Sequence, residues 1–290
     1  MKEIIVLSGK GGTGKTTVVG SFAALAKSKV LADCDVDAAD LHLLLNPSEK
    51  HKSEFWSGQV ACIYEDTCNE CGLCQELCRF NAIKDFRVDP VSCEGCGFCS
   101  YICPVEAITM KENMSGYWFI SDTRYGPLVH ARLGIAQENS GKLVAVVRQQ
   151  AKQIAEEKNL DHIISDGPPG IGCPVISSLS GVSLALLVTE PTLSGMHDLD
   201  RVLDVCRHFG VPALVCINKY DLNEENARQI ESQCLSQGVE IVGKIPFDNV
   251  VTRSIVQGVP VVEYSDGRVT QELERMWHTL STMLSNGSKG

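Results

Sequence analysis

The chain has 290 residues, of which 44% are hydrophobic and 21% charged, and its formal net charge is −10. This length predicts about two domains with a substantial core. No apolar run approaches the ~20 residues that span a bilayer, which argues against a membrane-spanning or a disordered protein. The excess of acidic residues disfavours binding to a phosphate backbone, so we expect no nucleic-acid partner.

The first predicted element is a buried strand over 3–8, followed by a glycine-rich loop and a helix that ends near Lys27. The strand's apolar stretch is shorter than the core of a secretion signal, so we expect a cytoplasmic protein. The loop has the G-x4-G-K-T pattern of a phosphate-binding loop and reads Gly9-Lys10-Gly11-Gly12-Thr13-Gly14-Lys15-Thr16-Thr17. In such a loop the backbone N–H groups bind phosphate, Lys15 bridges the β- and γ-phosphates, and the Thr16 hydroxyl binds Mg2+.

Two further predicted strands end in carboxylates. Asp33 lies near the end of the strand at 30–34, and Asp35 and Asp37 follow it. The strand at 162–166 ends at Asp166. An acidic strand end on its own is also typical of a solvated turn. Its pairing with a phosphate loop and a second acidic strand end favours a nucleotide site.

Eight of the fourteen cysteines stand in two runs that repeat after 25 residues, Cys68-x2-Cys71-x2-Cys74-x3-Cys78 and Cys93-x2-Cys96-x2-Cys99-x3-Cys103-Pro104. Disulfides do not persist in the cytoplasm, so this spacing indicates metal binding. Three thiolates within seven residues suit one cubane, and the fourth cysteine of such a run ligates the other cluster. The alternative is zinc, which prefers pairs of Cys-x2-Cys hairpins separated by a longer loop.

The segment 62–114 resembles a bacterial-type ferredoxin with two [4Fe-4S] clusters. The resemblance implies one cluster on Cys68, Cys71, Cys74 and Cys103 and another on Cys93, Cys96, Cys99 and Cys78. Arg79 follows Cys78 where that family often has proline, and a cation there would raise the potential of the nearer cluster. The remaining cysteines are expected mostly to be buried hydrophobes: Cys34, Cys62, Cys173, Cys206, Cys216 and Cys234.

Further strands are predicted at 183–189, 212–217 and 240–245, and a helix at 141–158. Their alternation predicts an α/β fold, a doubly wound parallel sheet with nucleotide at the carboxyl ends of the strands. We expect a discontinuous P-loop ATPase domain at 1–61 and 115–290, with a small α+β ferredoxin-like domain inserted at 62–114. The stretch 126–142 has no motif with a mechanism, and His130 is expected to be a polar loop residue.

Lys10 near the start of the loop resembles the second lysine of the deviant Walker A ATPases, a family that includes MinD, the nitrogenase iron protein and Mrp-type ATPases. The resemblance implies a homodimer that sandwiches two nucleotides, with each Lys10 acting on the partner's nucleotide. It also implies that Asp35 orients the attacking water and that Asp166 holds Mg2+ through water. The segment 167–170 resembles the D-x-P-P-G switch of the Mrp-type branch.

Base recognition is expected after the strand at 212–217, where the sequence reads Asn218-Lys219-Tyr220-Asp221. In the deviant Walker A family the asparagine at this position contacts adenine. The same letters form the N-K-x-D guanine signature of small GTPases, so Asp221 leaves GTP open. The phosphate loop, the acidic segment 33–37, which resembles the family's first switch, and the switch at 166–170 favour ATP. Pro246-Phe247-Asp248 matches the family's second base-side loop.

Two other features leave alternatives open. Cys173 follows Asp166 by seven residues, a spacing similar to that of the nitrogenase iron protein's cluster-bridging cysteine; the alternative is a plain helix start at Cys173-Pro174. The C-terminal apolar residues recur at helical spacing: Leu273, Met276, Trp277, Leu280, Met283 and Leu284. In MinD such a helix anchors to membranes, but here the polar face lacks Lys/Arg enrichment, so we expect core packing and no membrane anchor.

Three functions therefore stay open. The favoured one is an ATPase that couples nucleotide state to electron transfer through two clusters to an unknown redox partner, because ligand sets saturated by cysteine suit an electron carrier. The alternative is an ATP-dependent carrier or assembly protein for iron-sulfur or metal clusters, with an unknown acceptor. A MinD/ParA-like positioning switch is disfavoured by the acidic charge and the C-terminal helix. Hydrolysis is expected to be slow without a dimer or partner.

Overall fold

The computed structural model describes residues 1–134 and 139–286. The chain divides into two compact units. Unit 1 comprises Met1–Lys52, Phe119–Ala131 and Gly141–Gly290, and unit 2 comprises Ser53–Trp118 and Arg132–Ser140. The segment 62–114 lies within unit 2, whose bounds are wider because they include parts of long strands on either side of that segment.

The strands are β1 (Lys2–Ser8), β2 (Lys29–Asp33), β3 (Ser48–Ile63), β4 (Ile83–Lys84), β5 (Arg87–Val88), β6 (Ile108–Thr123), β7 (Gly126–Leu133), β8 (His162–Pro169), β9 (Leu184–Thr189), β10 (Ala213–Asn218) and β11 (Glu240–Ile245). The helices are α1 (Lys15–Leu25), α2 (Leu41–Leu45), α3 (Leu73–Glu76), α4 (Phe98–Ile102), α5 (Ser140–Glu157), α6 (Cys173–Leu179), α7 (Leu193–His208), α8 (Glu224–Ser236), α9 (Asn249–Val256), α10 (Val261–Tyr264) and α11 (Arg268–Asn286). A short 3-10 turn covers Tyr220–Leu222.

The predicted parallel sheet is confirmed. In the described chain the main sheet has the order β11-β10-β9-β1-β8-β2-β7-β6-β3. β1 pairs in parallel with β8 and β9, and the parallel pairing continues through β10 to β11 and through β2 to β7. Because helices cover a parallel sheet on both faces, its strands are apolar throughout, and Ile4–Leu7 are fully buried. The phosphate loop leaves the carboxyl end of β1, where such folds bind ligands.

Strands β3, β6 and β7 were not expected from the sequence. The first half of β3 is charged and exposed, and it lacks the alternating apolar pattern that would predict a strand. His130 lies on β7 rather than in the expected loop. Its Nε2 lies 3.1 Å from Ser121 Oγ, and its ring stacks on Phe119 with centroids 4.9 Å apart, which is a packing role.

The C-terminal helix α11 packs in the core of unit 1, as expected. Leu273, Met276 and Leu280 are fully buried and Leu284 nearly so. Gly243 of β11 makes room for this helix, because a Cβ atom there would collide with the Met276 side chain. Over the residues that the structure describes, no helix is both long and apolar enough to cross a membrane.

Unit 2 repeats one local structure around its cysteines. Gly72 and Gly97 precede α3 and α4 with φ values of 81° and 73°. Ala82 N–H donates to Cys78 Sγ at 3.4 Å, and 25 residues later Ala107 N–H donates to Cys103 Sγ at 3.2 Å. Ile83 and Ile108, also 25 residues apart, are both buried. The repeat in the sequence is thus a repeat in structure.

Candidate nucleotide site and cysteine-lined cavities

The backbone conformation of the phosphate loop favours glycine at Gly12 and Gly14. Gly12 and Gly14 have φ values of 79° and 97°, which a residue with a Cβ atom adopts only with strain. Gly14 has a second constraint, because a Cβ atom would collide with the Asn218 amide. Helix α1 begins directly after it and has no side-chain cap, so the N–H groups of its first turn are available to an anion.

Two carboxylates lie side by side at the strand ends below this loop. The parallel register pairs Asp33 of β2 with Asp166 of β8, and both side chains are buried. Burial raises the pKa of Asp166 to about 7, against the opposing effect of the Lys15 ammonium. Burial and the neighbouring Asp166 raise the pKa of Asp33, although it accepts backbone N–H bonds from Leu41 and Asp35. A cation at this position would relieve the repulsion between the two carboxylates.

The donor set below the loop fits Mg2+. Asp166 Oδ1 is buried and, within the described chain, accepts no hydrogen bond. The Thr16 hydroxyl bonds to the same carboxylate, and Lys15 is only 6% exposed. Hydroxyl and carboxylate oxygens are the ligands that Mg2+ prefers beside nucleotide phosphates. Asp35 is partly buried nearby, and burial raises the pKa of its carboxyl while Lys15 opposes the rise.

Lys10 binds to its own chain. Its Nζ donates to Thr192 Oγ1 and to Ser194 Oγ, both at 3.2 Å, and lies 3.6 Å from Glu190 Oε2. Lys219 Nζ reaches the other oxygen of the same carboxylate, Glu190 Oε1, at 2.5 Å. One glutamate therefore joins the lysine of the phosphate loop to the lysine of the predicted base-side motif.

The base-side residues are engaged with backbone. Asn218 Nδ2 donates to Thr13 O at 2.7 Å, so its amide ties the end of β10 to the phosphate loop. Asp221 Oδ1 accepts from the Phe247 N–H at 2.7 Å, which joins the two predicted base-side loops. Asp248 caps α9 by accepting from the Val250 N–H at 2.8 Å. Pro246 lies directly after β11 and before Phe247 and Asp248.

The cysteines of unit 2 line two cavities. Cys68, Cys71, Cys74 and Cys103 line a narrow one. Cys78, Cys93, Cys96 and Cys99 line a wider one of about 350 Å3, which Cys74 also borders. Each run therefore contributes its first three cysteines to one cavity and its fourth to the other. These sets are the two that the ferredoxin resemblance implies.

Across residues 1–134 and 139–286, no group of three or more His, Cys, Asp or Glu side chains converges closely enough to hold a single metal ion. A zinc ion needs four thiolates at about 2.3 Å from one point. In a cubane each cysteine binds a different iron, so its ligands stand further apart.

Four of the remaining cysteines are buried as expected, namely Cys34, Cys206, Cys216 and Cys234. Cys62 is only partly buried, and Cys173 is exposed at the first position of α6. Cys62 and Cys173 are thus the exceptions to an expectation made for most of these cysteines, and Pro174 follows Cys173 as the second residue of α6. The expected helix start is confirmed.

Sequence reasoning missed the segment 190–194, which holds Lys10. The signal was available: β9 is a central parallel strand, and ligands of such sheets bind at strand carboxyl ends. It also missed a partly buried ion pair between α5 and β1, in which Arg148 Nη2 lies 2.7 Å from Glu3 Oε2. Arg148 lies in α5, whose spacing of apolar and charged residues is that of an amphipathic helix. That pattern does not predict a contact with Glu3.

The chain is similar to known proteins. The family model described as "CobQ/CobB/MinD/ParA nucleotide binding domain" matches residues 4–261. An uncharacterized protein of Methanocaldococcus jannaschii is 33% identical over 285 residues, which cover 97% of each chain. A Pyrococcus horikoshii protein named iron-sulfur cluster carrier protein is 24% identical over 313 residues, covering 99% of this chain and 89% of that one.

The fold is similar to that of solved structures. The septum site-determining protein MinD of Pyrococcus horikoshii, solved with Mg-ADP, superimposes with a TM-score of 0.58 at 20% identity. The match covers 100% of this chain and 99% of that one. At this identity the likeness concerns the fold.

Proposed function

The chain belongs to the CobQ/CobB/MinD/ParA nucleotide-binding domain family and is a P-loop ATPase of the MinD/ParA type, and from that premise we propose that it couples nucleotide state to electron transfer through two [4Fe-4S] clusters. The observation that carries the proposal is the division of eight cysteines between two cavities in the crossed pattern of two-cluster ferredoxins. Clusters bound there would supply one-electron redox chemistry.

The proposed nucleotide is ATP with Mg2+. The N–H groups from Gly11 to Thr17 and the Lys15 ammonium would bind the phosphates, and Thr16 and Asp166 would hold the metal. Asp35 would orient the attacking water. Asp221 Oδ1 accepts the Phe247 N–H, and the acceptor sites that remain on this carboxylate keep GTP as the alternative nucleotide.

The proposed active form is a homodimer in which Lys10 acts on the partner's nucleotide. In the single chain Lys10 Nζ donates to Thr192 and Ser194 of the 190–194 segment. This supports slow turnover by the monomer.

A carrier of iron-sulfur clusters is the alternative function. The name of the Pyrococcus horikoshii relative supports it. The exposed Cys173 at the start of α6 also supports it. In a dimer, the Cys173 residues of the two chains would come together and form a labile cluster site. The carrier proposal therefore requires a cluster beyond the two of unit 2.

Anaerobic analysis of the purified protein tests both functions. Electron transfer predicts about eight irons per chain, stable to chelator, and ATP hydrolysis that Lys15→Ala abolishes without loss of iron. Fewer than four irons per chain would contradict it. Chelator-labile iron that Cys173→Ala removes, with transfer to an apo-ferredoxin, would replace it with the carrier function.

A further inference from the structure

The Lys10 ammonium lies in an unfavourable place unless a carboxylate accompanies it. Thr192 is the N-cap of α7, where its Oγ1 accepts the Gly195 N–H at 3.0 Å, and the same oxygen accepts from Lys10. The N-terminus of a helix carries a partial positive charge, which repels a cation. Glu190, whose side chain is 15% exposed, supplies the compensating negative charge.

Glu190 stays paired when Lys10 leaves. Its Oε1 bonds to Lys219 at 2.5 Å, whereas its Oε2 is 3.6 Å from Lys10. Removing one partner of a half-buried pair normally leaves an uncompensated charge. Here the second lysine holds the carboxylate, so the release of Lys10 leaves no unpaired glutamate.

The loop and α7 are packed together at this point. A Cβ atom on Gly9 would collide with Asp198 of α7, so the first loop residue lies directly against that helix. Lys10 therefore reaches 190–194 without any change in the loop backbone. A lysine held by these contacts has to leave them before it can act on a second chain.

We propose that Glu190 is a positioning residue, a releasable latch that holds Lys10 on its own chain and opposes the nucleotide sandwich until ATP and a second copy of this chain draw the lysine away. This inference rests on the proposed dimer. In this proposal Glu190 acts before Lys10 reaches the partner's nucleotide.

The variant Glu190→Gln keeps the shape of the side chain and removes its charge. With Mg2+ and a non-hydrolysable ATP analogue, we expect its dimer to form at about tenfold lower protein concentration in sedimentation velocity. Each of the two latches is expected to weaken dimerisation about threefold, the effect of a half-exposed ion pair, and the two effects multiply. Ser194→Ala removes one hydroxyl that accepts from Lys10 and should shift the same midpoint by less.

The matched control is Glu224→Gln, which also removes one negative charge from an acidic chain but only breaks an exposed pair with Arg228 on α8. Its midpoint should stay at the wild-type value, which separates the latch from reduced repulsion between chains. A second readout is acetylation of Lys10 by a soluble ester in the nucleotide-free protein, followed by mass spectrometry. Glu190→Gln should speed it several-fold, and Glu224→Gln should leave it unchanged.

The two proposals fail in different ways. If the wild type stays monomeric with the ATP analogue at every concentration, the proposed dimer is wrong. If the wild type dimerises but Glu190→Gln shifts neither the midpoint nor the acetylation of Lys10, the dimer stands and the latch is wrong. Equal shifts in Glu224→Gln would also contradict the latch.

Discussion

At the residue scale, the phosphate loop shows which glycines are fixed by geometry. Gly14 combines a φ of 97° with a collision between any Cβ atom and Asn218. Gly11 has neither constraint, because its φ is not positive and an added Cβ would meet no atom within 4 Å. The pattern G-x4-G-K-T does not distinguish these two reasons for a glycine.

The variant Gly14→Ala should therefore lower the free energy of unfolding of the nucleotide-free protein by about 1–3 kcal/mol, the cost of a strained left-handed residue. Gly11→Ala should change it by less than about 1 kcal/mol. Urea titration followed by circular dichroism measures both. Equal destabilisation by the two substitutions would show that the loop backbone differs from the one described.

Much of the residue-scale site could be predicted because its residues are contiguous. The loop from Gly9 to Thr17 and the cysteine runs are recognised from spacing alone. Glu190 could not be, since its role depends on a contact with Lys10, 180 positions away in the chain, and on a shared bond to Lys219. The exposure of Cys173 likewise depends on where α6 packs.

At the element scale, one ion pair and its hydrogen bonds join four elements of unit 1. Arg148 of α5 binds Glu3 of β1 through two nitrogens at 2.9 and 2.7 Å, and its Nη1 donates to Ser177 O of α6 at 2.9 Å. Ser165 of β8 donates to the same glutamate at 3.1 Å. The helix that begins at Cys173 is thereby fixed to the strands that carry the phosphate loop and Asp166.

Breaking this pair should be costly. Arg148→Met removes the guanidinium from the partly buried Glu3, and we expect a loss of about 1–3 kcal/mol in the free energy of unfolding. Arg228→Met removes the arginine of an exposed pair on α8 and should cost less than about 1 kcal/mol. Thermal or denaturant unfolding measures both, and a loss below about 1 kcal/mol for Arg148→Met would contradict a structural role for the pair.

The parallel strands of the sheet were predictable because they are continuously apolar, as at Ile4–Leu7. Strand β3 was not, because charged residues occupy its first half at 48–54 and its place is set by neighbouring strands. The buried face of α11 was predictable from its helical spacing.

At the scale of the whole molecule, the crossed cysteine pattern makes a prediction about iron. If Cys103 serves the first cluster, Cys103→Ala should remove the same electron paramagnetic resonance (EPR) signal as Cys68→Ala and leave about half of the iron. Cys78→Ala should remove the other signal, together with Cys93→Ala. If Cys103→Ala and Cys93→Ala instead remove the same signal, each run binds its own cluster.

The central claim is that nucleotide state and cluster state are coupled, and anaerobic EPR of the reduced protein tests it most directly. Spectra recorded with and without MgATP, on the wild type and on Lys15→Ala, separate coupling from simple coexistence. We expect MgATP to change the cluster signals of the wild type and leave those of Lys15→Ala unchanged. Cluster spectra and reduction potentials that are identical with and without MgATP in the wild type, under conditions where binding is verified, would contradict the account.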